Sequence, residues 1–293
     1  MKHDDFSIVS INIRSLTGKI NELGNFLHNP YDSVKIDCLT IQEIWNVPNG
    51  VQYNINGYHP LLYKIRNNNG LNSKAGGGVG LFINEKWEYE ILDSISIFKP
   101  HIFESIFAKI YMGENKYIII GSIYRPNTGA LASIPDSIDC LNEIFGKIKG
   151  DINLKKASDI ILTGDFNVNL LDYTTNSQIG KFLDNLLANN QLPLTTHPTR
   201  LANRTATLLD FISTNNIERE YSTGIITTAL SDHFPVFLTF KISQTRAKKT
   251  KKLVREFSEN NINNFDMKLG QIDWEYLFGI KYCQRPSPKL TIV

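Results

Sequence analysis

The chain predicts an α/β fold, two mixed β-sheets packed face to face with helices on the outside, and three observations carry that expectation. Apolar runs of strand length alternate with longer stretches of helical period. Some runs are continuously apolar and others alternate, as around Phe107, Lys109 and Tyr111 within residues 105–111, a mixture of fully and half-buried strands. The 293 residues, 42% of them hydrophobic, are ample for the core of one large domain or two small ones.

Residues 6–12 form the first predicted strand, which ends on the amide of Asn12. Ile20, Leu23 and Leu27 then mark one face of a short helix. Residues 36–43 form a second strand, ending on Gln42 and Glu43, and the Asn- and Gly-rich stretch 66–75 reads as a flexible loop. A strand over 117–123 runs into Tyr124-Arg125-Pro126-Asn127. Ile138, Leu141, Ile144, Phe145 and Ile148 trace a longer helix whose start is set by Pro135. The run 160–164 is a buried strand ending in a turn, which brings Asp165 to a sheet edge. Ile179, Phe182, Leu183, Leu186 and Leu187 mark a third helix that stops at Asn189-Asn190. Asp210 lies within the apolar run 208–212, and Asp232-His233 precedes a last strand over 235–240.

Six predicted strands thus carry a polar group at or near one end, which unrelated core strands would not do in concert. Gly164-Asp165-Phe166-Asn167 and Ser231-Asp232-His233 supply two carboxylates, an amide and an imidazole, the groups that metal-assisted phosphodiester cleavage needs. Carboxylates converging at strand ends suit a hard divalent cation. Each motif alone also has a plainer reading. Asp followed by Asn at a strand end is turn chemistry, Asn12 serves equally as a turn former, and Tyr124 as a packed aromatic with a wet hydroxyl. His3, His28, His59, His101 and His197 have no acidic partner at metal-ligand spacing, which predicts surface or loop roles.

No apolar stretch approaches the ~20 residues of a membrane span, and Met1-Lys2-His3-Asp4-Asp5 lacks the regions of a signal peptide. Cys38, Cys140 and Cys283 are odd in number and far apart, so no disulfide framework is expected. The net charge of +2 conceals an asymmetry: residues 241–293 hold 11 Lys/Arg against 5 Asp/Glu, which leaves residues 1–240 at −4. Arg246, Lys248, Lys249, Lys251, Lys252 and Arg255 read as a solvated linker, or as a non-specific phosphate contact that the acidic body does not offer.

In this order over residues 6–242, Asn12, Gln42-Glu43, Tyr124-Arg125-Pro126-Asn127, Gly164-Asp165-Phe166-Asn167, Leu209-Asp210 and Ser231-Asp232-His233 resemble the endonuclease/exonuclease/phosphatase superfamily. Asn12-Ile13-Arg14-Ser15-Leu16 followed by Lys19, a glycine-rich strand over 76–81, and His197-Pro198-Thr199-Arg200 are similar to the endonuclease domains of jockey- and LINE-type non-LTR retrotransposons. The resemblance implies a DNase I-like four-layer α/β sandwich over residues 1–242. Residues 243–293 then resemble a basic connector and truncated tail leading towards a reverse transcriptase. The implied activity is a divalent-metal-dependent endonuclease that nicks one DNA strand and leaves a 3′-hydroxyl for target-primed reverse transcription. Duplex DNA is the implied partner, with the element's own reverse transcriptase and RNA in a full-length protein. No membrane is involved, and the implied location is the nucleus, otherwise the cytoplasm, not the exterior.

Residue roles follow from the same resemblance. Glu43 is the direct ligand of Mg²⁺ or Mn²⁺, and Asp232 a second ligand or an outer partner. Asp165 orients or deprotonates the attacking water, and Asn167 holds a phosphate oxygen. His233 bonds a non-bridging oxygen while Asp210 fixes its tautomer. Asn12 stands near the metal, and the Tyr124 hydroxyl reaches a phosphate oxygen. Thr199 and Ser231 bond backbone or phosphate, and with Arg125 and Asn127 make up the substrate contacts. Repair members of the superfamily usually carry an acid two residues after the first-strand Asn, where this chain has Arg14. That departure fits the retrotransposon subgroup and removes one possible ligand. Another phosphoesterase of the same fold, acting on abasic DNA or a phospholipid, and an inactive DNA-binding relic stay open.

Overall fold

The computed structural model describes residues 5–28, 35–48, 51–66, 76–113, 116–127, 133–202, 204–242 and 259–272. The loop expected over 66–75 falls outside them apart from Arg66, as do the basic cluster at 246–255, His3 and Cys283. The chain divides into two compact units, Met1–Ser243 and Gln244–Val293. In chain order the first unit contains β1 (Asp5–Asn12), α1 (Ile20–Leu27), β2 (Cys38–Gln42), β3 (Leu62–Lys64), β4 (Val79–Ile83), β5 (Tyr89–Ile91), β6 (Phe98–Lys99), β7 (Phe103–Tyr111) and β8 (Tyr117–Tyr124). It continues with α2 (Ile134–Gly150), β9 (Asp159–Asp165), α3 (Ser177–Ala188), β10 (Leu192–Pro193), β11 (Arg200–Ala202), β12 (Thr205–Thr207), β13 (Asp210–Thr214), β14 (Ser222–Ile225) and β15 (Val236–Lys241). The second unit contributes helix α4 (Glu259–Gly270). Among the described residues no helix is long and apolar enough to cross a membrane.

Sheet one has the order β14-β15-β1-β2-β4-β3, and sheet two β10-β13-β9-β8-β7-β5 with β6 also on β7. Each has a parallel pair near its centre, β1 with β2 and β8 with β9, among antiparallel ladders. The C-terminal ends of these four strands share an edge with the N-terminal ends of their antiparallel neighbours β13 and β15. That edge is where strand-end polar groups distant in sequence can meet.

Between the sheets, Phe6, Ile8, Cys38 and Leu81 pack against Ile106, Ile118, Ile120 and Ile161. On the far side of sheet one, α1 buries Leu23 and Leu27 against Val9, Ile11, Leu39 and Ile41. On the far side of sheet two, Leu141 and Ile144 of α2 and Phe182 and Leu186 of α3 cover Phe107, Ile119, Leu162 and Phe211. The result is the four-layer sandwich that the sequence led us to expect. Helix starts follow their caps. Ser133 accepts the Asp136 N–H at 3.1 Å with Pro135 in the first turn of α2, and Asn176 accepts the N–H groups of Gln178 and Ile179 at α3.

Beneath the edge, the inter-sheet core turns polar. Gln42 Nε2 donates to Ser122 Oγ at 3.1 Å and to Ser10 Oγ at 3.3 Å, and the Thr40 and Thr163 hydroxyls lie 2.7 Å apart. These groups are buried, and buried polar groups are costly unless paired. The pairs therefore fix one sheet against the other just below the strand ends. One expectation is corrected: the glycine-rich strand begins at Val79, not Gly76. Gly77 and Gly78 have φ of 86° and 90°, outside strand geometry, and a Cβ on Gly77 would sit 2.5 Å from the Arg66 guanidinium.

Candidate active site

Asp165 owes its place to the residues on either side of it. Gly164 has φ 141°, and a Cβ there would lie 1.9 Å from the Ile123 carbonyl oxygen, so only glycine lets β9 reach the edge beside β8. Phe166 stacks on Phe211 with centroids 4.0 Å apart, and both pack on Phe182. Because successive strand residues face opposite sides, anchoring Phe166 and Phe211 in the helix-side core turns Asp165 and Asp210 to the other face. These acids are directly opposite in the β9–β13 ladder, where like charges repel.

Asn12 Nδ2 donates to Glu43 Oε1 and to Asp165 Oδ2, each at 2.8 Å. One fully buried amide thus joins carboxylates from the two sheets. Glu43 follows β2 at φ 55° and Trp45 has φ 64°, left-handed conformations that cost of order 1–3 kcal/mol each and cluster at functional sites. Trp45 Nε1 donates to Glu43 Oε2 at 2.9 Å, and the Trp45 N–H donates to the Gly77 carbonyl at 2.8 Å. Buried Glu104 accepts the Gly78 N–H at 2.6 Å and pairs with Arg66 at 2.5 Å. Sequence reasoning missed Trp45, Glu104 and Arg66. The one signal available was a glutamate inside the apolar run of β7, where an unpaired acid would be unsustainable.

Asp210 Oδ2 accepts the Thr199 hydroxyl at 2.8 Å and lies 2.8 Å from His233 Nδ1. Thr199 is fully buried and its hydroxyl also accepts the Asp210 N–H at 3.1 Å, so it orients Asp210. Burial works against the His233 imidazolium, but the Asp210, Asp165 and Asp232 carboxylates outweigh it and raise its pKa to about 9. The proton on Nδ1 is directed at Asp210, which leaves Nε2–H as the donor for a substrate. Burial, then repulsion from Asp210, raises Asp165 to about 7, against the opposing pull of His233 and the hydrogen bonds from Asn12 and Asn167. Tyr124 is opposite Asp165 in the β8–β9 ladder. Its hydroxyl is kept protonated by burial and by the charges of Glu43 and Asp165.

Other expected residues have different tasks. Asn167, at φ 47°, donates its backbone N–H to Asp165 Oδ1 at 2.9 Å and its amide to Arg125 O at 2.7 Å and Asp165 Oδ2 at 3.2 Å. It braces Asp165 where a phosphate contact was expected. Arg125 is buried and donates to the Asn167 carbonyl at 3.0 Å, holding the same turn. Asn127 is exposed. Asp232, expected as a second metal ligand or an outer partner, pairs with Arg14 at 2.8 Å and Arg200 at 3.0 Å, and Ser231 Oγ lies 3.4 Å from its other oxygen.

The remaining donors fit a hard divalent cation. The Asp165 and Asp210 carboxylates lie within 4.8 Å of one another, while the His233 ring is engaged as a proton donor to Asp210, and Glu43 is joined to Asp165 through Asn12. Among the described residues, Asp210 Oδ1 is buried without a hydrogen-bond partner. A buried carboxylate oxygen left bare beside a second carboxylate is what a bound cation would satisfy.

Residues 118–237 match a family model described as endonuclease-reverse transcriptase, a span that holds Tyr124, Asp165, Asp210 and His233. A search of curated proteins returns no match. The fold is similar to the endonuclease domain of TRAS1, a telomere-specific non-LTR retrotransposon (TM-score 0.57, 12% identity, 82% of this chain and 100% of that one). It is similar also to the AP endonuclease LMAP from Leishmania major (TM-score 0.60, 13% identity, 81% and 88%). A third likeness is to the 3′-5′ exonuclease NExo from Neisseria meningitidis (TM-score 0.56, 16% identity, 80% and 100%). At these identities the likeness is one of fold. The family match over the central strands, together with this fold, makes the chain similar to the endonuclease/exonuclease/phosphatase enzymes, the retrotransposon endonucleases among them.

Proposed function

We propose that the chain is a divalent-metal-dependent DNA endonuclease that nicks one strand of a duplex and leaves a 3′-hydroxyl able to prime reverse transcription. The observation that carries this reading is the Asn12 amide, which ties Glu43 to Asp165 beside the Asp210–His233 pair. Retrotransposon nicking is favoured by the family description and by the likeness to the TRAS1 endonuclease domain.

The residues divide the work of hydrolysis. Asp165 has a pKa of about 7, which suits a base that takes a proton from the attacking water near neutral pH. As the new P–O bond forms, the bond to the 3′ oxygen breaks and that oxygen takes a proton from solvent water, giving a 5′-phosphate and a 3′-hydroxyl. His233 donates from Nε2 to a non-bridging oxygen and offsets the charge gathering there, while Asp210 holds the imidazolium in place. Tyr124 offers its protonated hydroxyl to the same phosphate. Glu43, with Asp210 Oδ1 across the cleft, would hold the cation, oriented by Asn12 and Trp45. When bound, a divalent cation supplies positive charge to the phosphate and to the leaving 3′ oxygen. The reading is tested on supercoiled plasmid, which should relax with Mg²⁺ and stay supercoiled in excess EDTA. Equal relaxation in both overturns it.

A further inference from the structure

The edge of the sandwich carries a group of charges that the hydrolysis above does not use. Asp232 Oδ2 accepts from Arg14 Nη1 at 2.8 Å and from Arg200 Nε at 3.1 Å, with Arg200 Nη2 at 3.0 Å. Two guanidinium groups share one carboxylate, so the trio carries a net positive charge. It adjoins His233 along the chain, in a body whose residues 1–240 sum to −4. The side chains are 46%, 31% and 37% exposed for Arg14, Arg200 and Asp232. Ion pairs this exposed add little to stability, so folding alone does not account for the arrangement.

Both arginines come from segments locked to the reacting centre. Arg14 has φ 46° and Ser15 φ 80°, and the Arg14 N–H donates to Asn12 Oδ1 at 3.1 Å. Lys19 Nζ ties down the same turn through the Ile13 carbonyl at 2.7 Å. Arg200 bridges His233, and the Phe234 N–H donates to the Thr199 carbonyl at 2.7 Å, beside the hydroxyl that orients Asp210. Asp232 meanwhile has one oxygen between two cations and the other beside Ser231, which makes it a poor site for a metal.

We propose that Asp232 is an anchor, and that the Arg14 and Arg200 guanidinium groups it holds bind a backbone phosphate next to the scissile one. A guanidinium carries five N–H donors in a fork that matches phosphate oxygens, and Asp232 engages only part of each fork. Asp232 sets the spacing of the two forks and cancels one of their charges, so the subsite grips a phosphate without trapping it.

This inference rests on the nuclease reading, and its test separates the two. Binding of a fluorescein-labelled duplex by the full chain is followed by anisotropy in EDTA over a range of salt, for wild type, Arg14→Gln, Arg200→Gln, Asp232→Asn and a distant control, Lys155→Gln. Circular dichroism checks the fold of each. Each arginine variant should weaken binding by about fivefold to tenfold and lower the slope of log K against log salt by about 0.9, the loss of one phosphate contact. In nicking, KM should rise with kcat within about twofold. Asp232→Asn should leave the Mg²⁺ concentration for half-maximal nicking unchanged, and Lys155→Gln should match wild type. Arginine variants with wild-type affinity and salt slope overturn the proposal. So does an Asp232→Asn variant that needs tenfold more Mg²⁺ while its salt slope is unchanged, which makes Asp232 a ligand. A wild-type protein that neither binds nor nicks duplex DNA refutes the nuclease reading itself.

Discussion

Replacing Asn12 by alanine isolates the contact on which the site depends. The amide makes two hydrogen bonds of 2.8 Å to carboxylates, one to Glu43 and one to fully buried Asp165. A hydrogen bond to a charged group is worth about 1.5–3 kcal/mol. The two losses are relieved differently. Glu43 is only partly buried and can turn to water, whereas Asp165 cannot, and takes up a proton instead. Since the Asn12 bond is one of the forces holding the Asp165 pKa down at about 7, losing it moves that value up. Escape by protonation limits the stability loss to about 1–3 kcal/mol. It leaves the base unavailable at neutral pH, and with Glu43 no longer oriented, nicking should fall by about 10²–10³ at pH 7. The assay is the rate of plasmid nicking from pH 5.5 to 9.5 at saturating Mg²⁺, beside circular dichroism and thermal melts. An Asn12→Ala protein that is folded, nicks within about threefold of wild type at pH 7 and keeps its acid limb in place refutes the reasoning.

Three further outcomes follow. Asp165→Ala and His233→Ala should each lower turnover by about 10² or more with the fold intact, and near wild-type nicking by either, with an unchanged dichroism spectrum, removes that residue from the chemistry. Wild-type nicking should rise through about pH 7 as Asp165 ionises and fall above about 9 as His233 loses its proton. Asp210→Asn should bring the upper limb down, because Asp210 is the main cause of the His233 rise, and an unmoved limb contradicts that. In stability, the His233–Asp210 contribution is complete below the unfolded histidine value of 6.5 and is lost as pH rises through about 9, which melts of wild type and Asp210→Asn should reveal as a difference that shrinks across that window. Gly164→Ala forces a Cβ to 1.9 Å from the Ile123 carbonyl oxygen at φ 141°, and should destabilise by at least ~3 kcal/mol in urea unfolding; a well-folded Gly164→Ala protein shows that β8 and β9 can part.

What could be read from the sequence was what local pattern determines. Asp165 was legible because an apolar run and a glycine precede it, and Asn12 and Glu43 because they end runs of their own. That Asp165 stands opposite Asp210 was not legible, since the β9–β13 register depends on a ladder between segments 45 residues apart. The partners of Asp232 were hidden for the same reason: Arg14 lies 218 residues away and Arg200 32. A carboxylate beside a histidine in sequence looks free for a metal until the arginines that fold onto it are known. Gly76-Gly77-Gly78 beside an apolar run looked like strand, but φ near 90° at the last two, with Gly77 under the Arg66 guanidinium, makes them the approach to β4. Trp45 was overlooked because nothing in its neighbours announces that its indole fixes Glu43. Its exposure of 37% and left-handed backbone are properties of the folded chain.

The central claim is that Glu43, Asp165, Asp210 and His233 form a cation-dependent site that cuts a DNA strand on the 3′-oxygen side of the phosphate. It is tested most directly by incubating supercoiled plasmid with the protein in Mg²⁺ or in EDTA, then adding a DNA polymerase and labelled nucleotides without further treatment of the ends. We expect open circles that the polymerase extends at once in the Mg²⁺ reaction, because the nick carries a 3′-hydroxyl, and intact supercoils in EDTA. Nicking that persists in EDTA, or nicks that the polymerase extends only after a 3′-phosphatase has acted, would contradict the account.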